Sequence, residues 1–405
     1  MLTVAQAFEY LLATVLPCEL SEVPLERSLG LCLGRDATSP CDSPPFDKSA
    51  MDGYAVRSSD LVHGSAVLQV VEFITAGRVP SRTIGPGEAA QIMTGAPLPR
   101  GADTVIKVEE TQRNGDVVLI ATKHDKAGSN VITRGNSVRI GDRVLSAGLI
   151  LNGSRIGALA ELGQSTAVVR RRPCVAILAT GDELVPVGEI PGPGQIRNSN
   201  AVMLAAQIES AGGTAISLGI ARDDHDDLFM KIQQGLQSDL FVLSGGVSAG
   251  TLDLIPSLLQ EAGVKEVFHK VEMKPGKPVW FGIRPAIPQT DSKTCFVFGL
   301  PGNPVSSLVC CELFVRTAIR RFMGIEPAIP QSISALLEQE HTTHLDRPTY
   351  HPATLTWRDQ QPMVSLVKWH GSADLCGTVA ANAMVLLPSE ARRYQVGDRV
   401  ETLPW

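Results

Sequence analysis

The pattern of apolar and polar positions changes character along the chain and predicts regions of different structure. Near the N-terminus, apolar residues recur at helical spacing from Val4 to Val15, and Thr3 can cap this helix. From about residue 31 to residue 134 the apolar runs become short and are interrupted by proline and glycine, which predicts an inserted all-β module. Residues 135–170 are predicted to return to the first region.

After Pro173 the pattern alternates between short apolar runs and amphipathic stretches. The short runs predict the strands Cys174–Ala179, Ala215–Leu218, Leu240–Leu243 and Phe296–Gly299. The amphipathic stretches predict the helices Ala201–Ala211, Leu228–Leu236 and Val305–Phe322. Asn200 is the predicted cap of the first of these helices. Continuous apolar strands that alternate with helices indicate a parallel sheet covered on both faces. The last 75 residues read as short strands with turns.

The predicted fold class is therefore a multidomain α/β protein. A mixed α/β linker or dimerisation domain comprises residues 1–40 and 135–170, and a β-rich inserted domain comprises residues 41–134. Residues 171–326 form a three-layer α/β domain, and residues 327–405 form a small C-terminal domain resembling a β-barrel. A chain of 405 residues exceeds what one core usually supports, which agrees with this division.

Composition and charge narrow the classes of function. The net charge is −6 and the basic residues are scattered, so a nucleic-acid partner is not expected. No apolar run is long enough to span a bilayer, and the N-terminus reads as amphipathic and not as a leader. The eight cysteines show no CxxC pair, which disfavours a zinc site and predicts reduced, mostly buried thiols. A cytoplasmic enzyme is the expectation.

Informative loops follow three of the predicted strands. They are Thr180-Gly181-Asp182-Glu183, Ser244-Gly245-Gly246-Val247-Ser248 and Leu300-Pro301-Gly302-Asn303-Pro304. Each alone is a common turn, but loops at the carboxyl ends of parallel strands gather at one edge of the sheet. Gly245 and Gly246 let backbone amides face an anion, and the lysines of Lys274-Pro275-Gly276-Lys277-Pro278 add mobile positive charge. The pattern predicts a site for a phosphorylated or oxyanionic small molecule.

Four carboxylates belong to the same region of sequence: Asp182, Glu183, Asp223 and Asp253. Any one of them is as readily explained as a solvated surface group or a helix cap. Several in one pocket repel each other unless a cation joins them, and hard oxygen ligands suit Mg²⁺. The combination predicts a magnesium-assisted reaction of a phosphate ester or oxyanion.

The inserted module has two further loops, residues 47–55 with the turn Asp52-Gly53 and residues 91–97 with Thr94. Turn formation alone explains both loops as well as a functional role does.

Together these segments resemble the molybdopterin molybdenumtransferase (MoeA-type) family, which is related to the C-terminal domain of gephyrin. The resemblance extends over essentially the whole chain and rests on motifs in the family's order: Pro44 to Ala55, Met93 to Pro97, Thr180 to Leu184, Arg222 to Asp224, Ser244 to Ser248, Lys274 to Pro278 and Leu300 to Ser306. It implies that the α/β domain is of the molybdopterin-binding type.

The resemblance implies an elongated homodimer whose cleft lies between the α/β domain of one subunit and the β insertion of the other. Such enzymes cleave the pyrophosphate of adenylylated molybdopterin with a divalent cation, insert molybdate and release AMP. They serve molybdenum cofactor biosynthesis, alongside other proteins of that pathway, with neither nucleic acid nor membrane as a partner.

Residues are carried over from the family by position. The functional acids fall on Asp52, Glu183, Asp223 and Asp253, of which the last three are the expected metal ligands. The other site residues implied by the family are Thr94, Lys270, Lys274, Pro301, Pro304 and Ser372. The loop argument adds further candidates for substrate binding: Asp182, Ser244, Gly245, Gly246, Ser248 and Lys277. Molybdate binding is expected near Lys270, Lys274, Ser372 and the Pro301–Pro304 loop, because a dianion needs donors and not carboxylates.

One segment departs from the family. Gly135-Asn136-Ser137 stands where the family commonly carries Gly-Glu-Asp, so a carboxylate is missing at Ser137. This departure keeps two alternatives open, a weakly active paralogue and a gephyrin-like scaffold that binds peptides. A third alternative, the preceding adenylylation step, predicts ATP consumption but does not explain the resemblance at Asp52 and Thr94.

Overall fold

The computed structural model describes residues 1–61, 63–123, 126–246, 254–286, 293–344 and 346–405. Its backbone forms two compact units. The first unit consists of Met1–Gly34, Gly148–Asn152 and Thr166–Trp405, and the second of Arg35–Ala147 and Gly153–Ser165. The four-part division predicted from the sequence is finer than this and stays a prediction.

The first unit begins with helix α1 (Val4–Thr14) and the short strands β1 (Leu20–Pro24) and β2 (Cys32–Leu33). Thr3 caps α1 as predicted: its hydroxyl accepts the Gln6 N–H, and the Gln6 side chain accepts the Thr3 N–H at 3.0 Å. This reciprocal pair satisfies two backbone donors that the helix itself leaves unpaired.

The second unit is rich in β-structure, as predicted for the insertion. Its described residues contain ten strands, one α-helix and two short 3-10 helices (Ser58–Asp60 and Val108–Glu110). The strands and the α-helix are β3 (Ala37–Thr38), β4 (Lys48–Ser49), β5 (Gly53–Val56), β6 (Ser65–Ile74), β7 (Glu88–Ile92), β8 (Thr104–Lys107), β9 (Thr111–Asn114), β10 (Val117–Ala121), β11 (Val131–Ile132), β12 (Arg143–Leu145) and α2 (Gly153–Glu161). Six strands form a sheet in the order β8-β5-β7-β6-β10-β9. Along β5, Tyr54 and Val56 pack into one apolar cluster and Ala55 into another, so both faces of this strand are buried.

The first unit continues with an α/β region whose elements follow in alternation. They are β13 (Thr166–Arg170), β14 (Cys174–Thr180), β15 (Leu184–Val185), β16 (Ile196–Arg197), α3 (Ser199–Ala211), β17 (Thr214–Ala221), α4 (His225–Gly235), β18 (Leu240–Ser244), α5 (Ile255–Glu261), β19 (Lys265–His269), β20 (Trp280–Arg284), β21 (Cys295–Leu300), α6 (Pro304–Cys310), a π-helical turn (Cys311–Val315) and α7 (Arg316–Phe322). Strand β13 pairs antiparallel with β1 and β2.

The six-stranded sheet of this region has the order β17-β14-β18-β21-β20-β19. The first four strands are parallel, as predicted, and their apolar side chains form a core with Leu228 and Ile232 of α4 and Leu258 of α5. The sequence analysis missed β19, β20 and α5. Strands β19 and β20 pair antiparallel because the segment that joins them contains no helix to carry the chain back across the sheet.

The predicted cap of α3 was wrong. Asn198, not Asn200, caps the helix: its Oδ1 accepts the Ala201 N–H at 3.2 Å, and the helix begins at Ser199. The Asn200 side chain bonds instead to two loops of the sheet edge.

The chain ends in a barrel, in agreement with the predicted C-terminal β domain. Its strands are β22 (Ile333–Leu337), β23 (His341–His344), β24 (Thr349–Arg358), β25 (Gln361–Leu366), β26 (Ala383–Leu387), β27 (Ala391–Tyr394) and β28 (Arg399–Pro404). The barrel closes in the order β22-β25-β24-β26-β28, and β23 pairs with β27 beside it. Within the described ranges, no helix has the length and apolar character to cross a bilayer. All eight cysteines are free thiols.

Candidate functional site

A pocket of about 880 Å³ lies at the carboxyl edge of the α/β sheet. The ends of β14, β18 and β21 form its floor through Thr180, the Ser244–Gly246 turn and the Pro301–Pro304 loop. The first residues of α3 and the segment 373–376 of the C-terminal region complete the wall. Three loops that are far apart in sequence therefore meet at one edge because their strands are parallel neighbours.

The turn after β18 requires both of its glycines. Gly245 has φ +102° and Gly246 has φ +61°, a region that side chains rarely occupy. A Cβ at Gly245 would lie 2.7 Å from the Thr180 carbonyl oxygen, and one at Gly246 would lie 2.5 Å from Ile255 Cδ1. The Gly245 N–H donates to the Leu300 carbonyl at 3.0 Å, which ties the turn to the next loop. Both glycines are thus required because the space that a side chain would occupy is filled by Thr180 and Ile255.

Two polar side chains support this turn. Ser244 is 3% exposed, and its Oγ accepts a hydrogen bond from Asn200 Nδ2 at 2.9 Å. Thr180 is 4% exposed and lies directly behind Gly245, where its hydroxyl finds no partner among the described residues. Thr180 also lines the pocket, although its hydroxyl oxygen itself is buried behind the turn.

Two of the predicted acids, Glu183 and Asp223, line the pocket. The Asp182 carboxylate does not line it but accepts the Asp223 main-chain N–H at 3.2 Å, which joins the loops that follow β14 and β17. Across the described part of the chain, no three His, Cys, Asp or Glu side chains gather as a metal site. Asp253 and Ser248, both predicted site residues, lie outside the described residues.

The neighbours of Asp223 have structural roles of their own. Asp224 caps α4, where its carboxylate accepts the N–H groups of Asp226 and Asp227, each at 3.1 Å. Asp227 accepts the Arg222 N–H at 2.9 Å and pairs with Lys231. Asp227 therefore has a lowered pKa, first through the Arg222 amide and then through Lys231. These contacts hold the loop on which Asp223 is presented.

The predicted lysines do not line this pocket. Lys270 follows β19 with φ +69° and is half-buried, whereas Lys274 and Lys277 are exposed. The Lys274 main chain bridges to the barrel: its N–H donates to the Pro348 carbonyl, and its carbonyl accepts the Tyr350 N–H. Pro278 reaches the pocket wall from the same loop.

Ser372 lies beside the third loop of the site. Its carbonyl accepts the Val305 N–H at 3.0 Å, directly after Pro304. The following residues, Ala373 to Cys376, line the pocket. Ser372 is therefore brought next to the Pro301–Pro304 loop.

Asp52 and Thr94 contact each other in the second unit. Asp52 Oδ1 accepts both the Thr94 N–H and the Thr94 hydroxyl, each at 2.7 Å. These bonds, the amide first, lower the pKa of Asp52 below its usual value of 3.8. Two residues carried over from the family thus form one anionic group.

Sequence reasoning missed several residues of the pocket. They are Arg197, Asn198, Ser199, Asn200, Asp374 and Cys376, whereas Thr180 and Asn303 belong to the loops that were predicted to meet here. A signal existed for α3, because the polar run Asn198-Ser199-Asn200 precedes an apolar helix at the carboxyl edge of the sheet. No sequence signal marked Asp374 as a pocket residue. Its carboxylate accepts hydrogen bonds from the main-chain N–H groups of His370 and Gly377 and from the His370 ring nitrogen Nδ1. These bonds lower the pKa of Asp374.

Family models match this chain in three consecutive segments. Residues 2–163 match the MoeA N-terminal region (domain I and II), residues 176–321 match a probable molybdopterin binding domain, and residues 335–405 match the MoeA C-terminal region (domain IV). The site described above falls within the second and third segments.

Whole proteins match over nearly the full length. Proteins named molybdopterin molybdenumtransferase are 33% identical to this chain in Staphylococcus aureus (94% of this chain, 90% of the relative) and in Bacillus subtilis (95% and 90%). Among solved structures, a molybdopterin biosynthesis MoeA protein from Pyrococcus horikosii superposes with a TM-score of 0.82 at 31% identity, covering 100% of this chain and 99% of the other. The chain thus belongs to the molybdopterin molybdenumtransferase family.

Proposed function

We propose that this chain transfers molybdenum to adenylylated molybdopterin, with cleavage of the pyrophosphate linkage and release of AMP. One observation carries the proposal: a glycine turn and two carboxylates, Glu183 and Asp223, share one pocket in a chain that matches the family from end to end. The pocket of about 880 Å³ is large enough for a nucleotide-sized ligand.

The donors of the pocket suit a phosphorylated substrate. The N-terminus of α3, a helix of 13 residues, lines the pocket and contributes a partial positive charge. The Ser244–Gly246 turn adds main-chain groups to the lining of the pocket. Molybdate, the second substrate, is a dianion, and we place it near Lys270, Lys274, Ser372 and the Pro301–Pro304 loop. The hydrogen bond from the Val305 N–H to the Ser372 carbonyl supports the proximity of Ser372 to the Pro301–Pro304 loop.

Glu183 and Asp223 fit a magnesium ion. Both are exposed carboxylates on the wall of one pocket, and Mg²⁺ in nucleotide sites is commonly held by one or two carboxylates together with substrate phosphates. Asp253 is the third ligand that we propose. When bound, the ion would stabilise the negative charge that develops as the pyrophosphate is cleaved.

We further propose that the active form is a homodimer in which Asp52 and Thr94 of one subunit complete the cleft of the other. Their mutual hydrogen bonds keep Asp52 ionised and fixed in direction. A mixed dimer tests this arrangement. Asp52→Asn and Asp223→Asn subunits, each inactive alone, should regain activity when combined, because one of the two shared clefts is then intact.

The proposed activity is tested with purified protein, Mg²⁺, molybdate and adenylylated molybdopterin. We expect AMP and metallated cofactor, and no AMP when Mg²⁺ is chelated. A preparation that forms neither product while a known family member is active in parallel would overturn the proposal. Consumption of ATP with unadenylylated molybdopterin would identify the preceding step instead.

The neutral residue Ser137 favours a second candidate, a weakly active or scaffolding paralogue. Ser137 is exposed in a turn, and its N–H donates to the Ser43 carbonyl at 3.0 Å. Ser137→Asp should raise turnover if the missing acid limits activity. Peptide binding that persists after Asp52→Ala and Lys274→Ala would favour a scaffold.

A further inference from the structure

The Asn200 side chain connects two loops of the pocket that belong to different strands. Its Nδ2 donates to Ser244 Oγ at 2.9 Å and to the Gly302 carbonyl at 2.8 Å. Ser244 begins the glycine turn, and Gly302 lies within the Pro301–Pro304 loop. One amide group on the first turn of α3 therefore holds both loops at once.

Among the described residues, few other hydrogen bonds connect these two loops on the pocket side. The Gly245 N–H donates to the Leu300 carbonyl. A Cβ built at Gly302 would have a single neighbouring atom, Gly245 Cα at 3.7 Å. Gly302 and Asn303 are exposed, so burial does not hold the tip of the Pro301–Pro304 loop. The Asn200 amide is thus the polar link from α3 to this tip among the described residues.

We infer that Asn200 is a positioning residue, which sets the separation between the glycine turn and the Pro301–Pro304 loop for the anionic part of the substrate. The identity of the substrate rests on the proposed function, whereas the hydrogen bonds by which Asn200 connects the two loops do not depend on it. An amide suits this task because it donates two hydrogen bonds from one rigid planar group. A misplacement of about 1 Å in such a loop is enough to slow a reaction strongly.

The same helix contains a matched control. Gln207 Nε2 donates to the Leu308 carbonyl at 3.1 Å and to Glu312 Oε1 at 2.8 Å. It joins α3 to the helical segment that follows the same loop, but it does not line the pocket. Gln207→Ala therefore removes two comparable bonds between α3 and its neighbour and leaves the loop tips untouched.

The test compares Asn200→Ala, Asn200→Asp and Gln207→Ala in the full chain. Amide hydrogen exchange, read by mass spectrometry, should become about threefold to tenfold faster in Asn200→Ala at the bonded amides of the two loops, the factor expected for one lost hydrogen bond. These amides are Gly245, which donates to Leu300, and Val305, which follows Pro304 and donates to Ser372. Gln207→Ala should leave both loops at the wild-type rate. Asn200→Asp keeps the shape but cannot donate to the Gly302 carbonyl, so it should behave like Asn200→Ala.

Steady-state kinetics with adenylylated molybdopterin then separates positioning from simple stability. Asn200→Ala should raise KM and lower kcat, each by about threefold to tenfold, whereas Gln207→Ala changes neither. Equal effects of the two alanine variants on exchange and kinetics would overturn the inference. Wild-type protein without turnover would remove the proposed function only, because the exchange experiment still decides whether Asn200 holds the loops.

Discussion

Asp52 accepts two hydrogen bonds from a single residue, Thr94, and both reach the same carboxylate oxygen at 2.7 Å. The two residues are 42 positions apart and come from different turns of the β-rich unit. Because both bonds favour the ionised carboxylate, the pKa of Asp52 lies below 3.8. The two bonds therefore favour an ionised Asp52 carboxylate and fix its direction.

Replacement of Thr94 by valine should raise the pKa of Asp52 towards its usual value. The main-chain N–H of residue 94 remains, so the pKa should stay below 3.8. A depressed native pKa stabilises the fold above the unfolded-state pKa, and this stability is lost as pH falls through the native pKa. The free energy of unfolding of Thr94→Val should therefore depend less strongly on pH in the acid range than that of the wild type. An NMR titration of the Asp52 carboxyl carbon measures the shift.

Thr111→Val is the control for this titration. The Thr111 hydroxyl donates to the Val108 carbonyl at 2.8 Å in the same unit, so its bond is to the main chain and not to a carboxylate. Its removal should leave the Asp52 titration unchanged. An Asp52 pKa that is identical in wild type and Thr94→Val would refute the assigned cause.

Replacement of Asp223 by asparagine should abolish most activity without unfolding the chain. The carboxylate lines the pocket, and its loss should lower kcat by about a hundredfold or more, since a metal-ligating or charge-stabilising group is removed. The rate of AMP release measures activity, and urea unfolding measures the free energy of unfolding.

The adjacent residue supplies the control for Asp223. Asp224→Asn removes the same charge one position away, but asparagine caps a helix as well as aspartate does. Asp224→Asn should keep both activity and stability, whereas Asp224→Ala should lose about 1 kcal/mol of stability through the missing cap. Equal turnover in Asp223→Asn and wild type would return Asp223 to a structural role.

Replacement of Gly245 by alanine should destabilise the fold by about 2 kcal/mol or more. The residue has φ +102°, and its new Cβ would lie 2.7 Å from the Thr180 carbonyl oxygen, which is backbone and cannot move aside cheaply. Ligand binding should weaken as well, because the turn must shift. Urea denaturation gives the change in the free energy of unfolding.

Gly302→Ala tests whether that cost is specific to Gly245. Its Cβ would meet nothing closer than Gly245 Cα at 3.7 Å, an ordinary contact, and its φ is not positive. The change in stability should remain within about 0.5 kcal/mol. Similar losses for both alanine variants would contradict the geometric explanation.

Thiol labelling should distinguish Cys376 from the other cysteines. Cys376 and Cys41 are exposed and should react, whereas Cys310 is fully buried and the pKa of buried Cys295 is raised to about 12. Cys376 lines the pocket, so adenylylated molybdopterin should slow its modification but not that of Cys41. Mass spectrometry of labelled peptides follows both sites in one sample. Equal protection of the two cysteines, or of neither, would place the ligand elsewhere.

Much of the architecture could be predicted from local pattern. The apolar strands from Cys174, Leu240 and Phe296 lie parallel in one sheet, and the proline-rich insertion and the C-terminal region are β-structures. These features follow from periodicity and turn chemistry, which are properties of neighbouring residues. The motif order was specific enough to indicate the family, which the comparisons confirm.

Local pattern could not decide contacts between distant residues. Asn198, not Asn200, caps α3, because the Asn200 side chain donates its hydrogen bonds to Ser244 and Gly302. Neither of these partners is near Asn200 in sequence. Asp374 and Cys376 enter the pocket from the C-terminal region through a tertiary contact that no local pattern indicates.

The sequence by itself determined the strands that read as continuous apolar runs, the turns that need glycine and the family motifs that are present, since neighbouring residues specify these through backbone sterics and apolar periodicity. Only the tertiary structure decided that Glu183 and Asp223 share a pocket with the glycine turn. It also decided that Lys274 and Lys277 are exposed and do not line this pocket. The physical reason is that a side chain's partners depend on strand order and loop packing, which bring together residues that no local rule connects.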